Sequence, residues 1–245
     1  MLIAAAQTKP VKGDIEKNII NHIVLIKQAI AQKADAVFFP ELSITGYEPE
    51  LAAELATTAN NSRFTFFQQL ANDNAITIAI GLPVKNSDGV KISMAIYQPH
   101  QPPQTYAKQY LHSSETPWFV NGSEQVFLNI KGAVIAPAIC YELNVPQHAA
   151  FATDNGAGVY IACTVNSFNG IDKDLNRLAA VAGNYHIPVL MSNCIGVTGE
   201  YNCAGKTSAW NTEGNLIAQL DSEHEGLLIM NTETQETIKY LAPLN

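Results

Sequence analysis

Three reactive side chains in this sequence each follow a short strand-like run. Ala133 to Ile139 leads into Cys140, Ala36 to Pro40 into Glu41, and Gln104 to Ala107 into Lys108. In α/β sheets ligands collect beyond strand ends, so a thiol, a carboxylate and an ammonium placed there can converge on one crevice. A thiol becomes a strong nucleophile on losing its proton. A nearby carboxylate can take that proton, and a nearby ammonium stabilises the thiolate. The ammonium can also face the oxyanion that forms when sulfur attacks a carbonyl, an interaction worth about 3 kcal/mol of transition-state stabilisation. Burial beside apolar residues such as Phe38, Phe39 and Pro40 would raise a glutamate into the range of a general base.

Taken singly, each of the three has an ordinary reading. A glutamate after a strand is usually solvated, a lysine between Tyr106 and Tyr110 is usually a surface charge, and a cysteine after an apolar strand is usually inert core. The flanking residues shift that balance. Phe39-Pro40-Glu41-Leu42-Ser43-Ile44-Thr45-Gly46-Tyr47 resembles the glutamate motif of the nitrilase (carbon–nitrogen hydrolase) superfamily. Tyr106-Ala107-Lys108-Gln109-Tyr110-Leu111-His112 resembles its lysine motif, and Ile139-Cys140-Tyr141-Glu142-Leu143 its cysteine motif, in the family's order. The opening Ala4-Ala5-Ala6-Gln7 is similar to the family's first strand, and Gly205-Lys206-Thr207-Ser208-Ala209 precedes a strand pair like its closing hairpin. The resemblance spans most of the chain.

That resemblance implies an α/β fold, a four-layer α-β-β-α sandwich, formed as one domain over residues 1–245. It implies a triad of Glu41 as base, Lys108 as oxyanion stabiliser and Cys140 as nucleophile, working through a thioester on a small amide. Glu115 matches a second glutamate that orients the lysine and substrate, and the Tyr141 N–H is the other oxyanion donor. No metal or organic cofactor is implied, and a homodimer or larger homo-oligomer is. The sequence departs from the family at two places: Asn144 stands where an arginine is common, and Gly183, beside Asn184, where a glutamate is usual. Asn144 cannot make a charged bidentate grip on a carboxylate. The only arginines are Arg63 and Arg177, which disfavours substrates with a free carboxylate, such as N-carbamoyl amino acids. Candidate substrate-binding residues are Tyr47, Trp118, Asn144, Asn166 and Phe168, with Glu48 and Phe119 as further candidate walls. For the aromatics, core or subunit packing is the competing reading.

The elements that must position these groups alternate between strand and helix. Leu2 to Ala6 reads as a strand. Asp14 can cap a helix over Ile15 to Gln32, where Ile19, Ile20, Ile23, Ile26 and Ile30 recur at helical spacing. Ala36 to Phe39 is a strand. Asn61 or Ser62 opens a helix with Phe64, Phe67 and Leu70 on one face. Ala75 to Val84 and Ile92 to Gln98 are strands separated by Asn86-Ser87-Asp88-Gly89. In the second half, Ala133 to Ile139, Val159 to Val165 and Val189 to Asn193 read as strands, and Pro146 to Asn155 and Asp172 to Tyr185 as helices. A hairpin over Ser208 to Leu220 turns at Glu213-Gly214, and Gly226 to Asn231 is the final strand. Hairpins among α/β units argue against a purely parallel barrel and for mixed sheets covered by helices.

Composition narrows the function classes. A net charge of −8 over 245 residues disfavours binding to phosphate backbones. No stretch approaches the ~18 apolar residues of a membrane span. The first residues lack a basic region and read as a buried strand rather than a signal peptide. Cys140, Cys163, Cys194 and Cys203 form no disulfide framework, and the expectation is a reduced, cytoplasmic, soluble protein. The six histidines make no H-x-H or H-E-x-x-H, so no metal site is expected. Competing functions are decarbamoylation of an N-carbamoyl compound, nitrile hydrolysis, a Cys–His hydrolase using His112, His148 or His186, and a catalytically silent sandwich acting as a binding subunit.

Overall fold

The structure, a computed structural model, describes residues 1–243. In chain order the first half runs β1 (Leu2–Gln7), α1 (Ile15–Ala31), β2 (Ala36–Phe38), α2 (Ala52–Leu55), α3 (Thr65–Asn74), β3 (Thr77–Asn86), β4 (Gly89–Tyr97) and β5 (Gln104–Ala107). The second half runs β6 (Leu128–Ile130), β7 (Ala133–Ile139), α4 (Pro146–Asp154), β8 (Val159–Cys163), α5 (Ile171–Tyr185), β9 (Val189–Ser192), β10 (Ile195–Thr198), β11 (Tyr201–Ala204), β12 (Ser208–Trp210), β13 (Leu216–Gln219), β14 (Gly226–Asn231) and β15 (Thr237–Leu241).

The strands form two large mixed sheets, ordered β15-β14-β1-β2-β3-β4-β5 and β13-β12-β9-β8-β7-β6. Both faces of the central strands are buried, which is why these strands read as continuous apolar runs. Successive side chains on a strand point to opposite faces. In β1, Ile3 and Ala5 join the core between the sheets, whereas Ala4 and Ala6 pack under the first helical layer. In β8, Val159, Ile161 and Cys163 enter the same central core, whereas Tyr160 and Ala162 face the second helical layer. The first layer comes from α1 and α3, through Leu25, Ile26, Phe67 and Ala71. The second comes from α4 and α5, through Ala149, Ala152, Leu178 and Ala182. The result is the four-layer α-β-β-α sandwich, with one core shared between its sheets.

Local chemistry explains most element boundaries. The Asp14 carboxylate accepts from the Lys17 N–H and opens α1. Asn61 caps a 3-10 turn at Ser62–Phe64 that leads into α3, with Phe64 and Phe67 buried. Ile20 is an exception to the helical stripe: it is 61% exposed. Gly226–Asn231 is not the final strand, because β15 pairs antiparallel with it. The β10–β11 hairpin and β6 also lie outside the strands read from periodicity. Gly183 has a packing reason: a Cβ there would lie 3.2 Å from the Glu213 carbonyl oxygen, where α5 meets the β12–β13 turn.

Candidate active site

Each reactive side chain sits just past a strand end. Phe39 extends the register of β2 by donating its N–H to the Ala79 carbonyl, and the chain then turns through Pro40 and Glu41. That turn lies directly on β3 at Gly81. A Cβ on Gly81 would stand 2.3 Å from the Pro40 carbonyl oxygen and 2.4 Å from the Leu42 nitrogen, so only glycine permits the approach. Lys108 continues the β5 ladder through its N–H to the Ile92 carbonyl. Cys140 follows β7 and begins a 3-10 turn, Cys140–Asn144, with φ +43°. An L-residue in the left-handed region costs on the order of 1–2 kcal/mol, a strain often found at functional sites.

The folded chain gathers the three. The Lys108 Nζ donates to Glu41 Oε1 at 2.7 Å and to Glu115 Oε1 at 2.7 Å, with the lysine fully buried. Glu115 is fixed in turn by the His112 N–H at 2.7 Å and the Tyr47 hydroxyl at 3.0 Å. Glu41 Oε2 is buried and has no hydrogen-bond partner among the described residues. Glu41 and Cys140 line one cavity of about 240 Å³ with Tyr47, Glu115, Tyr141, Asn144, Asn166 and Tyr201.

The electrostatics follow from burial. Loss of solvent pushes the Glu41 carboxyl up to about 7, against the pull of Lys108 and with a further push from Glu115. Burial works against the Lys108 charge, but Glu41, Cys140 and Glu115 outweigh it and hold the ammonium above the usual lysine range. Burial and then Glu41 hold the Cys140 thiol well above its ordinary value, and Lys108 only partly opposes them. Burial thus favours the protonated thiol, so a base beside it would assist attack by sulfur.

The remaining residues separate into those on the wall and those off it. Tyr47, Tyr141, Asn144 and Asn166 line the cavity. Trp118 does not; it borders an adjoining cavity of about 400 Å³ with Glu48, sharing Tyr47 and Tyr201 as a common wall. Phe168 lines neither cavity and is 49% exposed, and its backbone N–H donates to the Asn202 carbonyl. Phe119 is core. Periodicity missed Ser167, Gly170, Asp174 and Tyr201 on the cavity wall. Asp174 stands one turn into α5, where its carboxylate meets Arg177 at 3.1 Å and the Asn144 side chain. Tyr201 packs edge-on against Tyr47 at 5.3 Å, brought there by the β10–β11 hairpin. Of the histidines weighed as alternative bases, His112 reaches the cavity, His148 is buried between Tyr106 and Tyr160, and His186 is exposed past α5.

The sequence profile of the carbon–nitrogen hydrolases matches residues 2–240. The chain belongs to the carbon–nitrogen hydrolase family. It is 23% identical over 247 residues to a glutamine-dependent NAD(+) synthetase of Thermotoga maritima, covering 97% of this chain and 43% of that protein. The chain thus spans less than half the length of that relative. It is 25% identical over 211 residues to a 2-oxoglutaramate amidase of Bacillus subtilis, covering 84% of this chain and 81% of that one. Among solved structures, an amidase from Nesterenkonia sp. AN1 in complex with acrylamide superposes with a TM-score of 0.85 at 22% identity, covering 94% of this chain and 89% of that one. The chain therefore shares the fold of that amidase.

Proposed function

We propose that this carbon–nitrogen hydrolase is a thiol amidase that cleaves a small amide through an acyl-enzyme on Cys140. The observation that carries the reading is the placement of the Cys140 thiol and the buried Glu41 carboxylate, itself held by Lys108 at 2.7 Å, on the wall of one cavity. Glu41 takes the thiol proton as sulfur bonds to the amide carbon. The carbonyl oxygen gains the electron pair and faces the Lys108 ammonium and the Tyr141 N–H, which lies in the first turn of a helix where amides lack helical partners. Collapse expels the amine, which leaves with the proton held on Glu41. Water then attacks the thioester, giving its proton to Glu41, and the carboxylic acid departs as the thiol is restored.

Support from outside the chain is of matching kind: one relative is named for an amide, 2-oxoglutaramate, and a structural neighbour holds acrylamide. A cavity of about 240 Å³ suits a compact substrate. Cys140→Ala is expected to abolish ammonia release from a panel of short aliphatic amides while keeping the melting temperature near wild type. Intact-protein mass spectra should show an acyl adduct that is missing from Cys140→Ala. Wild-type turnover by the alanine variant would end the proposal. Carbon dioxide released together with ammonia from ureido compounds, but not from amides, would redirect it to decarbamoylation.

A further inference from the structure

We propose that Glu142 is a positioning residue that holds the Cys140 turn and the Lys108 loop at a fixed separation; this rests on reading both as reacting groups. The Glu142 carboxylate is wholly buried. Its Oε2 accepts from the Ile139 N–H at 2.7 Å and from the Tyr106 hydroxyl at 2.7 Å, and its Oε1 accepts from the Gln109 N–H. Ile139 immediately precedes Cys140, and Gln109 immediately follows Lys108. The strands that deliver them, β7 and β5, belong to different sheets, so no ladder hydrogen bond sets their spacing. One side chain therefore spans the gap with one oxygen for each backbone.

The chemistry of the donors makes a carboxylate the fitting residue. A backbone N–H cannot become an acceptor, so both oxygens must accept. An amide supplies one acceptor. In either orientation its NH2 would face the N–H of Gln109 or of Ile139, donor against donor. The third partner differs, because Tyr106 can donate or accept and already has His148 Nε2 at 2.9 Å. His148 is anchored on its other side by Tyr160 at 2.8 Å. The phenol thus steadies the carboxylate without touching either reacting side chain's backbone.

The test separates positioning from stability. Glu142→Gln is expected to lower kcat about ten- to a hundredfold with KM within about threefold, since misplacement by about 1 Å costs on that order. Alkylation of Cys140 by iodoacetamide, which needs no substrate, should slow in parallel. Tyr106→Phe spares both backbone contacts and should keep kcat within about threefold of wild type. If Glu142→Gln lowers only the melting temperature, with kcat per alkylatable Cys140 unchanged, the inference is overturned. It is overturned equally if Tyr106→Phe loses as much kcat as Glu142→Gln. Should the glutamine variant not fold, Glu142→Asp, too short to reach both backbones, must show the same loss in kcat; wild-type kcat in it sinks the idea. Turnover surviving Cys140→Ala would instead remove the amidase reading, so the two failures are distinguishable.

Discussion

At the scale of the residue, the site is governed by how many charges share a dry space. Lys108 brings one positive charge and touches two carboxylates. Breaking such a buried set by removing one member typically costs about 3–5 kcal/mol, because the remaining charge is left without a partner. As a base, Glu41 must be ionised, and burial raises it to about 7. The acid limb of kcat/KM is therefore expected near pH 7, with activity falling about tenfold per unit below it. Glu115 contributes to that elevation by repulsion. Glu115→Gln should move the limb to lower pH, although it also frees Lys108 and lowers the maximum rate. A pH–rate profile in which the limb stays fixed or rises in Glu115→Gln would contradict this account of the electrostatics. The glutamate, the lysine and the cysteine were legible as candidates because each follows a strand-like run. Their mutual distances were not, since nothing local in sequence relates residue 41 to residue 108.

At the scale of the element, strand ends and the turns behind them set the geometry. The Glu41 turn rests on Gly81, where a single added carbon would meet backbone on two sides. Gly81→Ala is expected to destabilise the protein by about 1–3 kcal/mol, the range for overpacking a dense core. It should also cut kcat more than KM, because displacement of the turn carries Glu41 with it. Urea melts and steady-state rates check both; a variant with wild-type kcat would show that the turn can shift independently of its carboxylate. Continuous apolar runs such as Ala133–Ile139 were readable as strands because they are buried on both faces. The β10–β11 hairpin was missed because its exposure alternates weakly and Val197 is 71% exposed. That hairpin carries Tyr201, which explains why one cavity wall escaped notice.

At the scale of the whole molecule, buried titratable groups of opposite character balance. Glu41 and Glu142 are each raised by burial to about 7, so between about pH 4.5 and 7 the folded state holds protons that the unfolded chain releases. Their contribution to stability falls as pH rises through that window. His22 and His148 are each lowered by burial to about 4, so between about pH 4 and 6.5 the unfolded chain holds protons that the folded state does not. Their contribution rises with pH. Across about pH 4.5 to 6.5 the two pairs oppose each other, and these four groups are expected to leave the unfolding free energy nearly flat. His22 sits between the Asn18 carbonyl and the Ser43 hydroxyl. His22→Asn removes one rising contribution, so the variant's stability should fall with pH relative to wild type by about 1 kcal/mol per unit. Denaturant melts at pH 5 and pH 6 measure the tilt; parallel curves for the two proteins would contradict it.

The amino-acid order alone determined many local identities: which buried apolar runs are strands, where the longer helices begin, and which residue types stand beyond strand ends. It did so because burial on both faces and side-chain caps leave their mark within a few neighbouring positions. The resemblance carried by three short motifs extended that to the layered fold. Only the tertiary structure decided that Trp118 and Phe168 stand off the reactive cavity while Asp174 and Tyr201 line it, and that Glu142 bridges the two sheets. Those facts depend on packing one sheet against another, and contacts between sheets join residues whose separation along the chain encodes nothing about their separation in space.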